Sequence, residues 1–154
     1  MKFHFALETL LRIRRIREDH QRALLLAANA QEERLRQQLA ILEQVHSERA
    51  YIVSRQASEG VLAAELQFDS DCRAQAEILH RLMQAELQKA TVRAQRELDK
   101  YLAQRRDRRA IEVLREQQRQ RFEREEQRKE QLVLDEIYLQ GRSRTERGQN
   151  LPTS

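Results

Sequence analysis

Apolar residues recur at spacings of three and four along most of this chain, which is the pattern of amphipathic helices. The longest such stretch runs from Arg73 to Leu139 and contains neither glycine nor proline. It is dense in Ala, Leu, Glu, Gln, Arg and Lys, the residues that lose least on entering a helix. An unbroken helix of this length would extend about 100 Å at ~1.5 Å per residue. We therefore expect the rest of the chain to pack alongside it.

The first third of the chain predicts a partner helix over about residues 4–55. Its apolar residues, among them Leu7, Leu35 and Leu42, are spread over three heptad positions, which suits a short packing of two or three helices. Arg14 and Gln21 stand where this seam should be apolar. Packing at these two positions is expected to be loose.

The region of residues 56–71 predicts the tip of a hairpin. Gly60 follows a periodic run, as glycine does at helix ends. A short helix is predicted at the tip, over Val61 to Phe68. A second helix is predicted over about residues 70–139, with Asp69 and Asp71 as candidate capping side chains. The predicted fold is all-α, a long two-helix antiparallel coiled-coil hairpin that forms one domain over residues 1–140.

The lengths of the two helices predict their register. With a turn centred near residue 63, residue i lies opposite about residue 126 − i, because both helices rise equally per residue. This places Phe3 near Phe122 and leaves residues further along helix 2 without a partner in helix 1. The apolar residues there are Leu132, Val133, Leu134, Ile137, Tyr138 and Leu139. Their burial would require another protein or a second copy. Gly141 is expected to end the helix, and residues 141–154 to form a disordered polar tail.

Charge and composition argue against several functions. The 29 Lys and Arg are interleaved with 25 Asp and Glu, for a formal net charge of +4, and alternating signs along a helix indicate a solvated, ion-paired face rather than a nucleic-acid site. Cys72, a single cysteine, suits a reducing cytoplasm. No run approaches the ~18–20 apolar residues of a membrane span, and the N-terminus lacks the long apolar run of a signal peptide.

No motif predicts an enzyme, a cofactor site or a metal site. The chain has no phosphate-cradling glycine loop and no cysteine cluster. The predicted register brings His46 near His80, but two imidazoles without a carboxylate pattern are more often plain flanking residues. The two acids before Cys72 disfavour its thiolate.

The two ends of the chain resemble the FliJ family, the stalk protein of the bacterial flagellar type III export apparatus. Residues 1–14 read MKFHFALETLLRIR, similar to the family's F-x-F-x-L-x-x-[LV]-L-x-[LIV]-R opening. Residues 124–136 read REEQRKEQLVLDE, which resembles the family's E-x-K-x-x-D-E ending. The hairpin and the total length also fit.

The resemblance implies a non-enzymatic stalk in the cytoplasm, peripheral at the inner membrane through its partners only. Those partners would be the export ATPase hexamer, the cytoplasmic domain of the export gate and export chaperones, without nucleic acid. The expected ATPase-binding residues lie at the free end of the hairpin: Arg12, Arg14, Arg15, Arg124, Arg128, Lys129, Leu132, Leu134, Ile137 and Tyr138. The expected gate-binding residues lie towards the tip: Tyr51, Ile52, Phe68, Leu79 and Met83. A stalk protein of an injectisome secretion system and a generic coiled-coil scaffold remain alternatives.

Overall fold

The computed structural model describes residues 2–148, with side chains through residue 144. Two helices account for almost all of them: α1 spans Glu8–Glu59 and α2 spans Ala63–Gly148. No strand occurs among the described residues. The predicted all-α helical hairpin is confirmed.

The connection between the helices is much shorter than the predicted tip of residues 56–71. It comprises residues 60–62, where Gly60 has a φ of 90°, a conformation that residues with a Cβ rarely adopt. The carbonyl oxygen of Leu62 then accepts the amides of Glu65 and Leu66 at 3.0 and 3.3 Å and begins α2. The predicted separate helix at the tip is therefore wrong, since its residues form the first turns of α2.

Asp69 and Asp71 lie inside α2 and do not cap it. Asp69 pairs with Arg49 of α1, with 2.7 Å between the Arg49 Nη2 and Asp69 Oδ1 atoms. Asp71 accepts a hydrogen bond from Gln67 at 3.1 Å, one helical turn earlier. Because both carboxylates have side-chain partners, neither competes for backbone amides, and the helix continues through them.

The two outer helix ends also differ from the prediction. Residues 2–7 precede α1, and the Glu8 amide donates to the Phe5 carbonyl at 3.1 Å. At the other end α2 continues past Gly141 to Gly148, so the prediction of a disordered tail from residue 141 is wrong as far as residue 148. A single glycine costs a helix only about 1 kcal/mol, and good helix formers flank this one. Residues 149–154 lie outside the described part of the chain.

The chain divides into two compact units. Unit 1 contains Met1–Arg14 and Asp107–Ser154, and unit 2 contains Arg15–Arg106. In unit 1, Phe5 and Leu11 are buried, and the Phe3 and Phe122 ring centroids lie 5.8 Å apart, as the predicted register requires.

In unit 2 the two helices run antiparallel. Moving along α1, Glu32 accepts a hydrogen bond from Thr91 at 3.1 Å, and Glu43 lies 2.8 Å from His80. As the residue number rises in α1, the number of its partner in α2 falls. The buried apolar side chains of this seam are mostly small: Ala28, Leu39, Ala90 and Ala94.

The polar seam positions are filled by bonds between the helices. In unit 1, Arg14 pairs with Asp107 at 3.1 Å. In unit 2, Gln21 donates to the Glu97 carboxylate and, at 3.3 Å, to the Glu97 backbone carbonyl. Gln104 Oε1 is buried without a hydrogen-bond partner. The bonds of Arg14 and Gln21 join the two helices where apolar residues are missing from the seam. They stabilise the fold less than buried apolar side chains would.

Candidate partner-binding surfaces

The most exposed apolar group of unit 1 lies near the end of α2. We call it the apolar end; its side chains are between 55% and 69% exposed. It consists of Leu132, Val133, Leu134, Ile137, Tyr138 and Leu139. Every residue from 127 to 144 is exposed, as the prediction of an uncovered apolar group requires. Because exposed apolar groups of this size are characteristic of interaction sites, the apolar end is a candidate site.

The apolar end presents side chains on most sides of its helix. At about 100° per residue, Val133, Ile137, Leu134 and Tyr138 cover an arc of about 140°, and Leu132 and Leu139 lie together on another side. Asp135 and Glu136 fall on either side of this second pair. A flat partner would therefore cover only part of the group, whereas a partner that surrounds the helix would cover all of it.

Residues 115–131, which we call the charged segment, precede the apolar end. Arg119 bridges Glu116 and Glu123 at 3.0 and 3.1 Å, and Lys129 pairs with Glu126 at 2.9 Å. The hydrogen bond between Arg119 and Glu116 raises the pKa of the guanidinium and lowers that of the carboxyl. Both side chains are exposed, so water and salt screen the pairs and they add little to stability.

The predicted ATPase-binding set does not form one cluster. Arg124 and Arg128 line an open depression on α2, and Lys129 is exposed but paired. Arg14 instead pairs with Asp107, which lies seventeen residues before Arg124 and therefore about 25 Å away along the helix. The expectation that Arg12 and Arg14 lie alongside Arg124 is wrong, because Phe3, not these arginines, reaches Phe122. Arg15 is exposed and belongs to unit 2.

The predicted gate-binding residues all belong to unit 2. Tyr51, Ile52 and Phe68 lie close in sequence to the turn, and all three are more than half exposed. Leu79 is 48% exposed. It lies eleven residues after Phe68, so both project from nearly the same face of α2. Met83 is half-buried. We call Tyr51, Ile52, Phe68 and Leu79 the tip surface.

Arg49 supports the tip surface and was not predicted from the sequence. Its guanidinium carbon lies 5.9 Å from the centroid of the Phe68 ring, within reach of a cation–π interaction. The hydrogen bond to Asp69 raises the pKa of Arg49. The Phe68 ring therefore has Arg49 as a charged neighbour and is otherwise largely exposed. Arg49 and Phe68 lie on different helices, so only the pairing of residues across the two helices could have predicted this contact. The predicted turn was too long to give the correct pairing.

The histidines predicted to approach each other do so. His46 and His80 line one groove of unit 2, but His80 Nε2 lies 2.8 Å from Glu43 and so has a carboxylate partner. Within the described residues, no group of three or more His, Cys, Asp or Glu could hold a metal ion. Over the same residues, neither helix has a stretch that is apolar for long enough to span a bilayer.

Comparison with family models matches residues 2–147 to the model described as "Flagellar FliJ protein". The match covers unit 2, most of unit 1 and all the surfaces described above. Searches of curated proteins and of solved structures found no match.

Proposed function

Since the chain belongs to the FliJ family of flagellar proteins, we propose that it is a non-enzymatic stalk component of the flagellar type III export apparatus. In this proposal it acts in the cytoplasm at the inner membrane and is held there by its partners. The resemblance noted in the sequence names these partners as the export ATPase hexamer, the cytoplasmic domain of the export gate and export chaperones.

The observation that carries the proposal is the apolar end. Six large apolar side chains project in most directions from a part of α2 in which every residue from 127 to 144 is exposed. A ring of ATPase subunits surrounds whatever enters its pore, and so can cover such a group on all sides. The charged segment would then lie within the ring, where its exposed ion pairs make weak, salt-sensitive contacts.

The effect of such a stalk on the ATPase follows from its chemistry. The site residues proposed here include no nucleophile or acid–base group in an enclosed cleft, so the chain would act by binding one state of the ATPase better than another. We infer that it favours the assembled hexamer and thereby raises the rate of ATP hydrolysis. The basic residues would also raise the rate of encounter with an acidic pore.

The tip surface is the proposed contact with the export gate. It lies in unit 2 and presents aromatic and aliphatic side chains to solvent. Aromatic anchors of this kind dominate the energy of many protein interfaces. The place where chaperones bind is not assigned to particular residues.

The proposal is tested with the purified chain and its cognate export ATPase. ATP hydrolysis is measured at ATPase concentrations below those that support hexamers, with and without the chain, and the fraction of hexamer is followed by sedimentation. The chain should raise both quantities together. An unchanged hydrolysis rate and an unchanged hexamer fraction would contradict the proposed function and favour a scaffold role.

A further inference from the structure

The charged segment carries opposite charges on two different faces of α2. At about 100° per residue, Arg121, Arg124 and Arg128 fall within an arc of about 60°. The carboxylates of Glu116, Glu123 and Glu130 fall within an arc of about 40°, and the two arcs are centred about 130° apart. Arg119 pairs with Glu116 and Glu123 on that side. The segment is therefore nearly neutral as a whole, and its positive charge without an ion-pair partner is concentrated on one side.

The three arginines also differ from the other basic residues of the segment in their contacts. Arg115, Arg119 and Lys129 each pair with a carboxylate at 2.9–3.2 Å. Arg121, Arg124 and Arg128 are exposed. Among the described residues they form no ion pair. We call these three residues the arginine face.

An open depression on α2 is lined by the arginine face together with Glu125, Gln127 and Gln131. Glu125 is the one acid in this lining. Three positive charges and one negative charge leave a local excess of two. The two amides add donors and acceptors without charge. This local positive charge, unlike that of the paired residues, is available to an outside partner.

We propose that the arginine face binds carboxylate groups on the protein that surrounds the apolar end. The inference rests on the proposed function, in which that protein is the export ATPase. Guanidinium groups bind carboxylates through two parallel hydrogen bonds. The three arginines span eight residues, or about 10 Å of helix, which matches a local acidic patch on one subunit or on two neighbours.

The arrangement favours a protein carboxylate patch over a polyanion. A nucleic acid or an anionic membrane presents negative charge over a wide area. Such a surface would meet Glu125 within the face and the carboxylates of Glu116, Glu123 and Glu130 on the neighbouring side. A protein can instead place its acids only where the arginines lie.

The uneven charge has a consequence for a ring of equivalent subunits. Only the subunits that face Arg121, Arg124 and Arg128 receive the favourable contact, while others face a side on which Arg119 partly neutralises the carboxylates. The chain would thus bind the ring in a preferred rotational orientation and distinguish otherwise identical subunits. The apolar end, which has side chains on most sides, would hold the helix without selecting an orientation.

The test compares two triple variants with the same change in charge. The first is Arg121→Gln, Arg124→Gln and Arg128→Gln. The matched control is Arg22→Gln, Arg81→Gln and Arg93→Gln, which removes three charges from exposed residues of unit 2 that have no assigned role in binding. Affinity for the cognate ATPase is measured at two salt concentrations, and circular dichroism verifies that both variants remain helical. The first variant should bind on the order of tenfold more weakly, with a smaller salt dependence, and the control should bind within about twofold of the unmodified chain.

A cross-linking measurement identifies the chemical partner. The variant Arg121→Lys, Arg124→Lys and Arg128→Lys places amines on the arginine face, and a carbodiimide joins amines to carboxylates in direct contact. Mass spectrometry should find these lysines joined to Asp or Glu of the ATPase, at a higher yield than native Lys129.

The outcomes separate this inference from the proposed function. If the unmodified chain does not bind the ATPase, the proposed function fails. If it binds and both triple variants bind equally well, or the lysines give no cross-links, the arginine face is not the contact. Binding of the unmodified chain to vesicles containing anionic lipid or to duplex DNA, lost only in the first variant, would also overturn the carboxylate assignment.

Discussion

Phe3 packs against Phe122 at the start of unit 1, with ring centroids 5.8 Å apart and ring planes at 51°. The contact joins the segment before α1 to a position far along α2. Phe5, two residues after Phe3, is buried. Together these aromatics fix the register of the two segments of unit 1. Beyond them α2 continues into the exposed residues that carry the proposed ATPase contact.

The Phe3–Phe122 contact should contribute measurably to stability. Phe122→Ala is expected to lower the free energy of unfolding by about 1–3 kcal/mol, because it removes a half-buried ring and that ring's contact with Phe3. A double-mutant cycle with Phe3→Ala should give a coupling of about 0.5–1.5 kcal/mol. Tyr138→Ala, at a side chain that is 69% exposed, is the control and should change stability by less than about 0.5 kcal/mol. Equal effects of Phe122→Ala and Tyr138→Ala would show that the aromatic pair does not hold the unit.

The two described glycines before residue 148 should respond oppositely to alanine. Gly60→Ala forces a Cβ into a φ of +90°, whereas Gly141 lies inside α2, and an added Cβ meets no atom within 4 Å at either position. We expect Gly60→Ala to destabilise by about 1 kcal/mol or more. Gly141→Ala should raise helix stability by about 0.5–1 kcal/mol. Thermal unfolding followed by circular dichroism measures both. Stabilisation by Gly60→Ala would contradict the described turn.

Both glycines also show what the sequence could and could not predict. Gly60 was correctly placed at the turn, because a periodic helical run ends there. The same reasoning placed a helix end at Gly141, which was wrong, since one glycine among good helix formers only weakens a helix. The presence of a glycine alone does not show whether a helix ends there or continues through it.

The register was predictable because helical rise is nearly constant. Counting from an approximate turn was sufficient to bring Phe3 to Phe122. The start of α2 was not predictable in the same way, because Asp69 and Asp71 are good caps in isolation. Their roles depend on Arg49 across the seam and on Gln67 one turn away. The same limit applies to Arg14, whose partner Asp107 removed it from the predicted cluster.

The pair of Gln21 and Glu97 should make stability depend on pH. The hydrogen bond from Gln21 lowers the pKa of the Glu97 carboxyl below its ordinary value of 4.5, and a bond from Lys100 acts in the same direction. A lowered pKa means that the folded state favours the ionised carboxylate. The stability that the Glu97 carboxylate contributes is therefore complete at a pH above its pKa in the unfolded chain. It is lost as the pH falls through the pKa of Glu97 in the folded chain.

The variant Gln21→Leu tests this dependence. Removing the amide should raise the pKa of Glu97 towards 4.5, as followed by the NMR shift of its side-chain carboxyl carbon. The loss of stability between pH 6 and pH 3 should be smaller than in the unmodified chain, because the pKa of Glu97 is then nearly the same in the folded and unfolded states. Gln37→Leu is a suitable control, since Gln37 bonds only within its own helix, to Glu33 at 3.0 Å. An unchanged Glu97 titration in Gln21→Leu would contradict the assigned cause.

The tip surface should bind the export gate through its exposed side chains. Replacing Phe68 and Leu79 by alanine removes two large groups from one face of α2 while leaving the seam intact. We expect this variant to lose capture of the gate's cytoplasmic domain and to retain its helicity. The control is Ile78→Ala with Val92→Ala, two exposed residues of α2 that lie about 80° and about 120° around the helix from Phe68. Undiminished capture by the Phe68 and Leu79 variant would remove the tip surface from the proposed interface.

Truncation of the apolar end shows whether this group is needed to stimulate the ATPase. One protein ends at Gln131 and lacks all six apolar residues; its control ends at Gln140 and retains them. Both keep the contacts of unit 1 from Phe3 to Phe122, so both should fold, as circular dichroism verifies. Stimulation of the cognate export ATPase is then measured for each. We expect the control to stimulate as strongly as the full chain and the protein ending at Gln131 not to stimulate. Full stimulation by the shorter protein would show that the apolar end does not bind the ATPase.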